Sequence, residues 1–279
     1  MNQLNQFIKS ALTEDIGPGD HTALACIPKE AQGKAVLLAK ENGVIAGIEV
    51  AAVIAAEVDP DLKFEFFKQD GDQILPGDQV FIISGSSRNI LSAERLMLNC
   101  MQRMSGIATI SSRLQQLVAP YKCKVLDTRK TTPGMRMLEK WAVRIGGAYN
   151  HRMGLYDMMM IKDNHIDYAG GIRQAIEKAN EYIQQKGLSI KIEIEARNLT
   201  EVDEILAVGK VNRIMLDNFT TTDMRTAVER IGEKYETEAS GGITEETIVE
   251  YAKTGVNYIS VGALTHSVKS LDLSLKAIS

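Results

Sequence analysis

Glu195, Asp217, Ser240 and Gly262 recur every 22 or 23 positions, and each closes a short apolar run. That rhythm constrains the fold of this chain more than any other feature. The runs occupy 124–127, 158–162, 190–195, 213–217, 237–240 and 258–262, each followed by a Gly or Asn turn and a segment of helical period. Between them Ile172, Ala175, Ile176 and Ala179 share one helix face, as do Met224, Ala227, Val228 and Ile231. Strand and helix alternating in this way predict an α/β fold with a parallel sheet, whose closed form is a (β/α) barrel. Six strands are legible and the loop-rich stretch has room for a seventh, fewer than the usual eight.

In such a barrel the C-terminal strand ends face one mouth, where residues remote in sequence converge. Arg129, Lys130, Lys162, Glu195, Asp217, Ser240 and Gly262 are therefore expected to line one pocket. Glu193 has the parity of Glu195 and is expected to face the same interior.

The first part of the chain reads differently. Leu4, Phe7, Ile8 and Leu12 fall on one helical face, stopped at 16–20. Short strands are expected at 34–39, 62–67 and 80–83. A helical tendency over 89–119 carries Ser105-Gly106 as a break or close-packing point. We expect an α+β domain over 1–110 and the barrel over 111–279, with the C-terminal segment returning to the first domain. The most apolar long window, 44–58, contains Glu49 and is too short to span a bilayer. Cys26, Cys100 and Cys123 form no close pair and no metal-ligand spacing, which fits a reducing cytoplasm.

Four strong cations, Arg129, Lys130, Arg152 and Lys162, sit beside glycine-rich turns in a chain of formal net charge -4. The overall charge argues against a general nucleic-acid or membrane binder, so the cations imply either a local anion site or a solvated cluster. Glu195 and Asp217 suit Mg²⁺ held with substrate phosphates, hydrogen bonds to sugar hydroxyls, or ion pairs with the nearby cations. Ser240, Gly241, Gly242 and Gly262 allow backbone amides to approach a phosphate, or simply allow tight turns. Thr244 is expected to cap the next helix, with Glu245 and Glu246 in its first turn. His151, His165 and His266 stand near enough to serve as donors, and His21 has no assignment. Met158, Met159 and Met160 read as core filling.

An ordered series of short motifs runs nearly the whole length: 14–20, Glu94-Arg95 through 98–99 to 105–109, 127–134, His151-Arg152, 161–165, 193–196, 216–219 and 238–243. In these the chain resembles the quinolinate phosphoribosyltransferases. Trp141 stands where Tyr is usual, and Ala148 replaces the third glycine of a turn.

The resemblance implies an incomplete (β/α) barrel with an N-terminal α+β open sandwich domain. It also implies the conversion of quinolinate and phosphoribosyl pyrophosphate to nicotinate mononucleotide, pyrophosphate and CO₂ with Mg²⁺, in NAD biosynthesis. By similarity, quinolinate contacts fall on Arg129, His151, Arg152 and Lys162, and a phosphate contact on Lys130. Sugar and metal carboxylates fall on Glu195 and Asp217, and the 5-phosphate loops on Ser240, Gly241, Gly242, Gly262 and His266. Arg95 is expected to reach a partner's site, which makes the protein a homodimer or larger assembly. The catalytic set is then Lys130, Glu195 and Asp217. Competing readings are a Schiff-base aldolase using Lys130 or Lys162, a sister enzyme for another pyridine carboxylate, and an anion-binding protein without turnover.

Overall fold

The computed structural model describes residues 2–278, which form two compact units. The first unit gathers the residues up to 112, then 131–147, then those from 267 on. It opens with α1 (Asn2–Ile16), which buries Ile8 and Leu12, and α2 (His21–Cys26), capped by the Asp20 carboxylate at the Ala23 amide. There follow β1 (Gln32–Ala39), β2 (Gly43–Val44), α3 (Ile48–Val58), β3 (Lys63–Phe66), β4 (Gln73–Ile74) and β5 (Gln79–Ser86). The chain's last strand, β12 (Leu273–Ile278), returns to pair antiparallel with β1, so one sheet reads β12-β1-β5-β3. The apolar window at 44–58 divides between β2 and the buried face of α3, and no described helix is long and apolar enough to cross a membrane.

Helix α4 (Ser87–Val118) runs unbroken through Ser105-Gly106. Ser105 Oγ accepts the Ala46 amide at 2.9 Å and donates to the Ala46 carbonyl at 3.2 Å, and a Cβ on Gly106 would collide with the Lys269 carbonyl. The pair is thus a close-packing point, and the boundary expected after residue 110 falls inside a continuous helix. Helix α5 (Arg136–Ile145) belongs to the first unit. Buried Glu139 holds it there, pairing with Arg103 of α4 at 2.8 Å and accepting the Thr132 amide at 3.1 Å.

The second unit, residues 113–130 and 148–266, carries the alternation. In order it contains β6 (Lys124–Leu126), β7 (Met158–Ile161), α6 (Asp163–Ala169), α7 (Ile172–Lys186), β8 (Lys191–Ala196) and α8 (Leu199–Val208). It continues with β9 (Arg213–Asp217), α9 (Thr221–Ile231), β10 (Glu236–Ser240), α10 (Ile248–Ala252), β11 (Tyr258–Ser260) and α11 (Ala263–His266). All six strands pair in parallel in the order β6-β11-β10-β9-β8-β7, so the first strand meets the last and the sheet curls. Where a seventh strand had room, only a parallel bridge between Leu126 and Tyr149 forms, and the barrel is incomplete.

Strand pleating sends alternate residues to opposite faces, and register pairing keeps each face together across neighbours. Glu193 and Arg213 are register partners, as are Arg213 with Glu236, Glu195 and Glu238 with Met215, and Asp217 with Ser240. The barrel interior is therefore lined at these alternate positions, while Ile192, Ile194, Ile214 and Leu216 are buried on the face toward the helices. One expectation fails locally. Helix α10 begins only at Ile248, with Thr247 as its N-cap, so Thr244, Glu245 and Glu246 form the turn before it. The Thr244 carbonyl accepts the Thr247 and Ile248 amides, and its own amide donates to the Thr247 hydroxyl at 3.0 Å.

Candidate active site

A cavity of about 840 Å³ opens within the second unit at the C-terminal strand ends. Arg129, Lys130, His151, Arg152, Lys162, Glu195, Asp217, Ser240, Gly241, Gly242, Gly262 and His266 all line it. Arg95, on α4 of the first unit, is exposed and is not among the lining residues.

The segment after β6 is fixed by its backbone. Buried Asp127 accepts the His151 amide at 2.8 Å and the Asn150 side-chain amide, so the segment at 150–151 hangs from a carboxylate remote from it in sequence. The Thr128 hydroxyl accepts the Lys130 amide at 3.0 Å, and buried Thr265 donates to the Lys130 carbonyl at 2.8 Å. Arg129 and Lys130 are exposed to the cavity, and neither side chain has a hydrogen bond or ion pair among the described residues. Arg152 donates from Nη1 to the Met158 carbonyl at 3.2 Å, while its buried Nε has no partner. Burial, and then the neighbouring Arg129 guanidinium, hold Arg152 below its ordinary pKa. Like charges crowded without counter-charges mark a place where an anion is expected.

Acidic groups stand opposite. Lys162 Nζ lies 3.0 Å from Glu195 Oε2, realising the ion pair that the sequence left as an alternative. Burial raises the Glu195 pKa; Lys162 opposes the rise, and Asp217 and Asp163 add to it. Asp217 Oδ2 accepts the Asn218 side-chain amide at 2.6 Å. One oxygen of each carboxylate, Glu195 Oε1 and Asp217 Oδ1, has no protein partner among the described residues. Two such hard oxygens on adjacent strands fit Mg²⁺ completed by substrate oxygens and water.

The glycine turns are needed as glycine. Gly241 has φ of +99°, and a Cβ there would run into the Asn218 side chain. A Cβ on Gly262 would lie 3.0 Å from His266 Cδ2 and 3.1 Å from Lys130 Cδ, so those two side chains converge over bare backbone. His165 acts elsewhere: its Nδ1 accepts the Lys162 amide at 3.0 Å at the start of α6.

Beneath the cavity, His151 Nε2 faces Glu193 at 2.9 Å and Glu238 at 3.4 Å, while its Nδ1 accepts the Arg152 amide at 2.7 Å. Arg213 reaches Glu238 at 2.9 Å. Burial and Glu238 push the Glu193 carboxyl up to about 7, and the two carboxylates pull the imidazole upward against its own burial. Both shifts concern one extra proton. A proton on Nδ1 would abolish the 2.7 Å contact, so that proton belongs on the carboxyl side and the ring carries its own on Nε2. Sequence reasoning placed Glu193 inside but missed Glu238, Arg213 and Asn218; the strand parity that located Glu193 would have found the first two.

The family model for the quinolinate phosphoribosyl transferase C-terminal domain matches residues 107–276, and that for the N-terminal domain matches 20–105. The chain is 48% identical over 98% of its length to the chloroplastic nicotinate-nucleotide pyrophosphorylase (carboxylating) of Arabidopsis thaliana, covering 82% of that protein. It is 42% identical over 98% of its length to a probable nicotinate-nucleotide pyrophosphorylase (carboxylating) of Bacillus subtilis, covering 93% of it. Among solved structures, NadC from Streptococcus pyogenes superposes with a TM-score of 0.93 at 38% identity, covering 99% of this chain and 98% of that one.

Proposed function

The chain belongs to the quinolinate phosphoribosyltransferase family, and on that premise we propose that its barrel mouth joins quinolinate to phosphoribosyl pyrophosphate, releasing pyrophosphate and CO₂ in NAD biosynthesis. The observation that carries the site assignment is the cluster of cations, Arg129 and Lys130 without a side-chain partner among the described residues and Arg152 beside them, across one cavity from Glu195 and Asp217. Quinolinate brings two carboxylates, which match guanidinium and ammonium donors from Arg129, Arg152 and Lys162 with His151 at the floor. The sugar 5-phosphate takes the amides of Ser240, Gly241, Gly242 and Gly262 beside His266.

Departure of pyrophosphate breaks the anomeric C–O bond and leaves cationic character on the ribose carbon. Glu195 and Asp217 face that charge, and Lys130 meets the oxygens that gain the negative charge. Mg²⁺, bound by Glu195 and Asp217, would draw off part of the charge on the leaving group. The arginines then need only hold the pyridine nitrogen in line, which is positioning rather than covalent catalysis. Alkylated, the ring nitrogen is cationic, and the electron pair left by loss of the adjacent carboxylate as CO₂ stays on that ring carbon as an ylide stabilised by the neighbouring positive charge. A proton then fills the vacated carbon. Lys130 and Lys162 need form no Schiff base.

Arg95, exposed on α4, is assigned to the site of a second copy, making the working form a homodimer. A reducing cytoplasmic setting suits the three free cysteines. The test mixes purified protein, quinolinate, phosphoribosyl pyrophosphate and Mg²⁺ and follows CO₂ and pyrophosphate together. Equal release supports the reading, whereas equal use of nicotinate, or pyrophosphate without CO₂, defeats it.

A further inference from the structure

We infer that Glu238, with Glu193 and Arg213, is a positioning residue that acts through the His151 ring on Arg152, so that the buried column under the mouth sets where a substrate-binding cation stands. The inference rests on the reading of the mouth as a quinolinate site.

Glu238 and Glu193 are fully buried; Glu238 borders the floor of the cavity, but its carboxylate is turned to His151 at 3.4 Å and Arg213 at 2.9 Å, whereas Arg129 is exposed. The imidazole between them is held at both ends. Its Nε2 lies 2.9 Å from Glu193 and 3.4 Å from Glu238, and its Nδ1 supplies the acceptor for the Arg152 amide. The backbone just before Arg152 is also pinned, through the His151 amide on Asp127. Arg152 therefore leaves the floor of the cavity from a backbone whose last fixed point is a histidine lone pair. Rotation of that ring would remove the acceptor and let the guanidinium drift.

Glu238 is itself fixed by Arg213 at 2.9 Å, and Arg213 stacks over the Tyr258 ring at 4.0 Å. His151, Glu193 and Glu238 lie close enough together to hold a metal ion, but the Arg213 guanidinium, 3.9 Å from Glu193 as well, already supplies the counter-charge. A divalent ion there would stand against a fixed cation. The column is an ion-paired brace.

A group that binds substrate equally in ground and transition states changes KM and leaves kcat alone. Glu238→Gln keeps the shape of the side chain and removes its charge. It is expected to raise KM for quinolinate about tenfold, with kcat and KM for phosphoribosyl pyrophosphate within about twofold of wild type, as loss of an orienting partner does. A KM that rises equally for both substrates with a falling kcat would mean general loosening and would overturn the inference, as would an unchanged quinolinate KM. Should the variant not fold, ¹⁵N-histidine NMR of the wild type decides. An unprotonated Nδ1 and protonated Nε2 on His151 are expected, assigned by replacing His21, His165 and His266 in turn, whereas a protonated Nδ1 overturns the inference. If the wild type does not consume quinolinate, the reading of the site falls, and the nitrogen shifts still decide the brace.

Discussion

Glu193 and Glu195 stand two positions apart on β8, with Ile194 between them, and both face the barrel interior, yet their surroundings differ. Glu193 lies in a ring closed on itself: His151 and Arg213 stand beside both it and Glu238, Arg213 also pairs with Glu236 at 3.2 Å, and the Tyr258 hydroxyl donates to Glu236 at 3.0 Å. Glu195 lies in a ring left open, where only Lys162 is satisfied and Arg129 and Lys130 have no partner among the described residues. The same pleat thus carries two layers of charge with different work. The lower layer holds the barrel and aims the upper one, and the upper layer waits for a ligand.

The largest expected effect breaks the lower ring. Glu238→Ala takes from Arg213 its shortest carboxylate contact and from the imidazole one of two, and is expected to destabilise the fold by about 3–5 kcal/mol, read by denaturant unfolding. A loss below about 1 kcal/mol would show that the ring is not closed as described.

Next comes the upper ring. Arg129→Ala should lower kcat/KM for quinolinate roughly a hundredfold, since a charge-assisted bond contributes about 1.5–3 kcal/mol. Its midpoint of unfolding should match wild type, because no protein partner is lost. A matched drop in stability would erase the contrast between the layers.

Gly241→Ala forces a side chain onto a backbone at φ +99° and against Asn218. A cost of about 1–3 kcal/mol is expected, with KM for phosphoribosyl pyrophosphate rising more than KM for quinolinate. The opposite ranking would move the phosphate loop elsewhere.

The pH dependence sharpens the comparison more gently. Glu193 is raised from 4.5 to about 7, so its contribution to stability is complete below 4.5 and is lost as pH rises through 7. Wild-type unfolding midpoints should fall across that window, and Glu193→Gln should flatten the slope. The smallest effect is a control: Arg230→Ala, which removes a largely exposed pair with Asp203, should leave stability and kinetics within error.

Much of this was legible in the sequence because a parallel barrel imposes two periods at once. The interval between run-ending residues located the strand ends, and the alternation within a strand placed Glu193 inside. The insertion of 131–147 into the first unit was not legible, since it depends on buried Glu139 meeting Arg103, a contact between elements that no local period encodes. The missing seventh strand shrank to one bridge at Tyr149 for a similar reason. The chain there is bent to hang Asn150 and His151 from Asp127 rather than to extend along β6. Thr244 was expected as the cap because two threonines and two glutamates precede α10; residues 244–247 form a turn, and the helix begins after Thr247. His151 read as a candidate donor to a ligand, and the fold instead sets its Nε2 beside two buried carboxylates and its Nδ1 under the Arg152 amide.

The most direct test of the two-layer account is diffraction from crystals equilibrated with saturating quinolinate. The account expects the pyridine at the mouth, its two carboxylates within hydrogen-bond reach of Arg129, Arg152 and Lys162, and the Glu193–His151–Glu238–Arg213 column unmoved beneath it. Quinolinate bound outside this cavity, or inside it with Arg129 and Arg152 both turned away, would contradict the account.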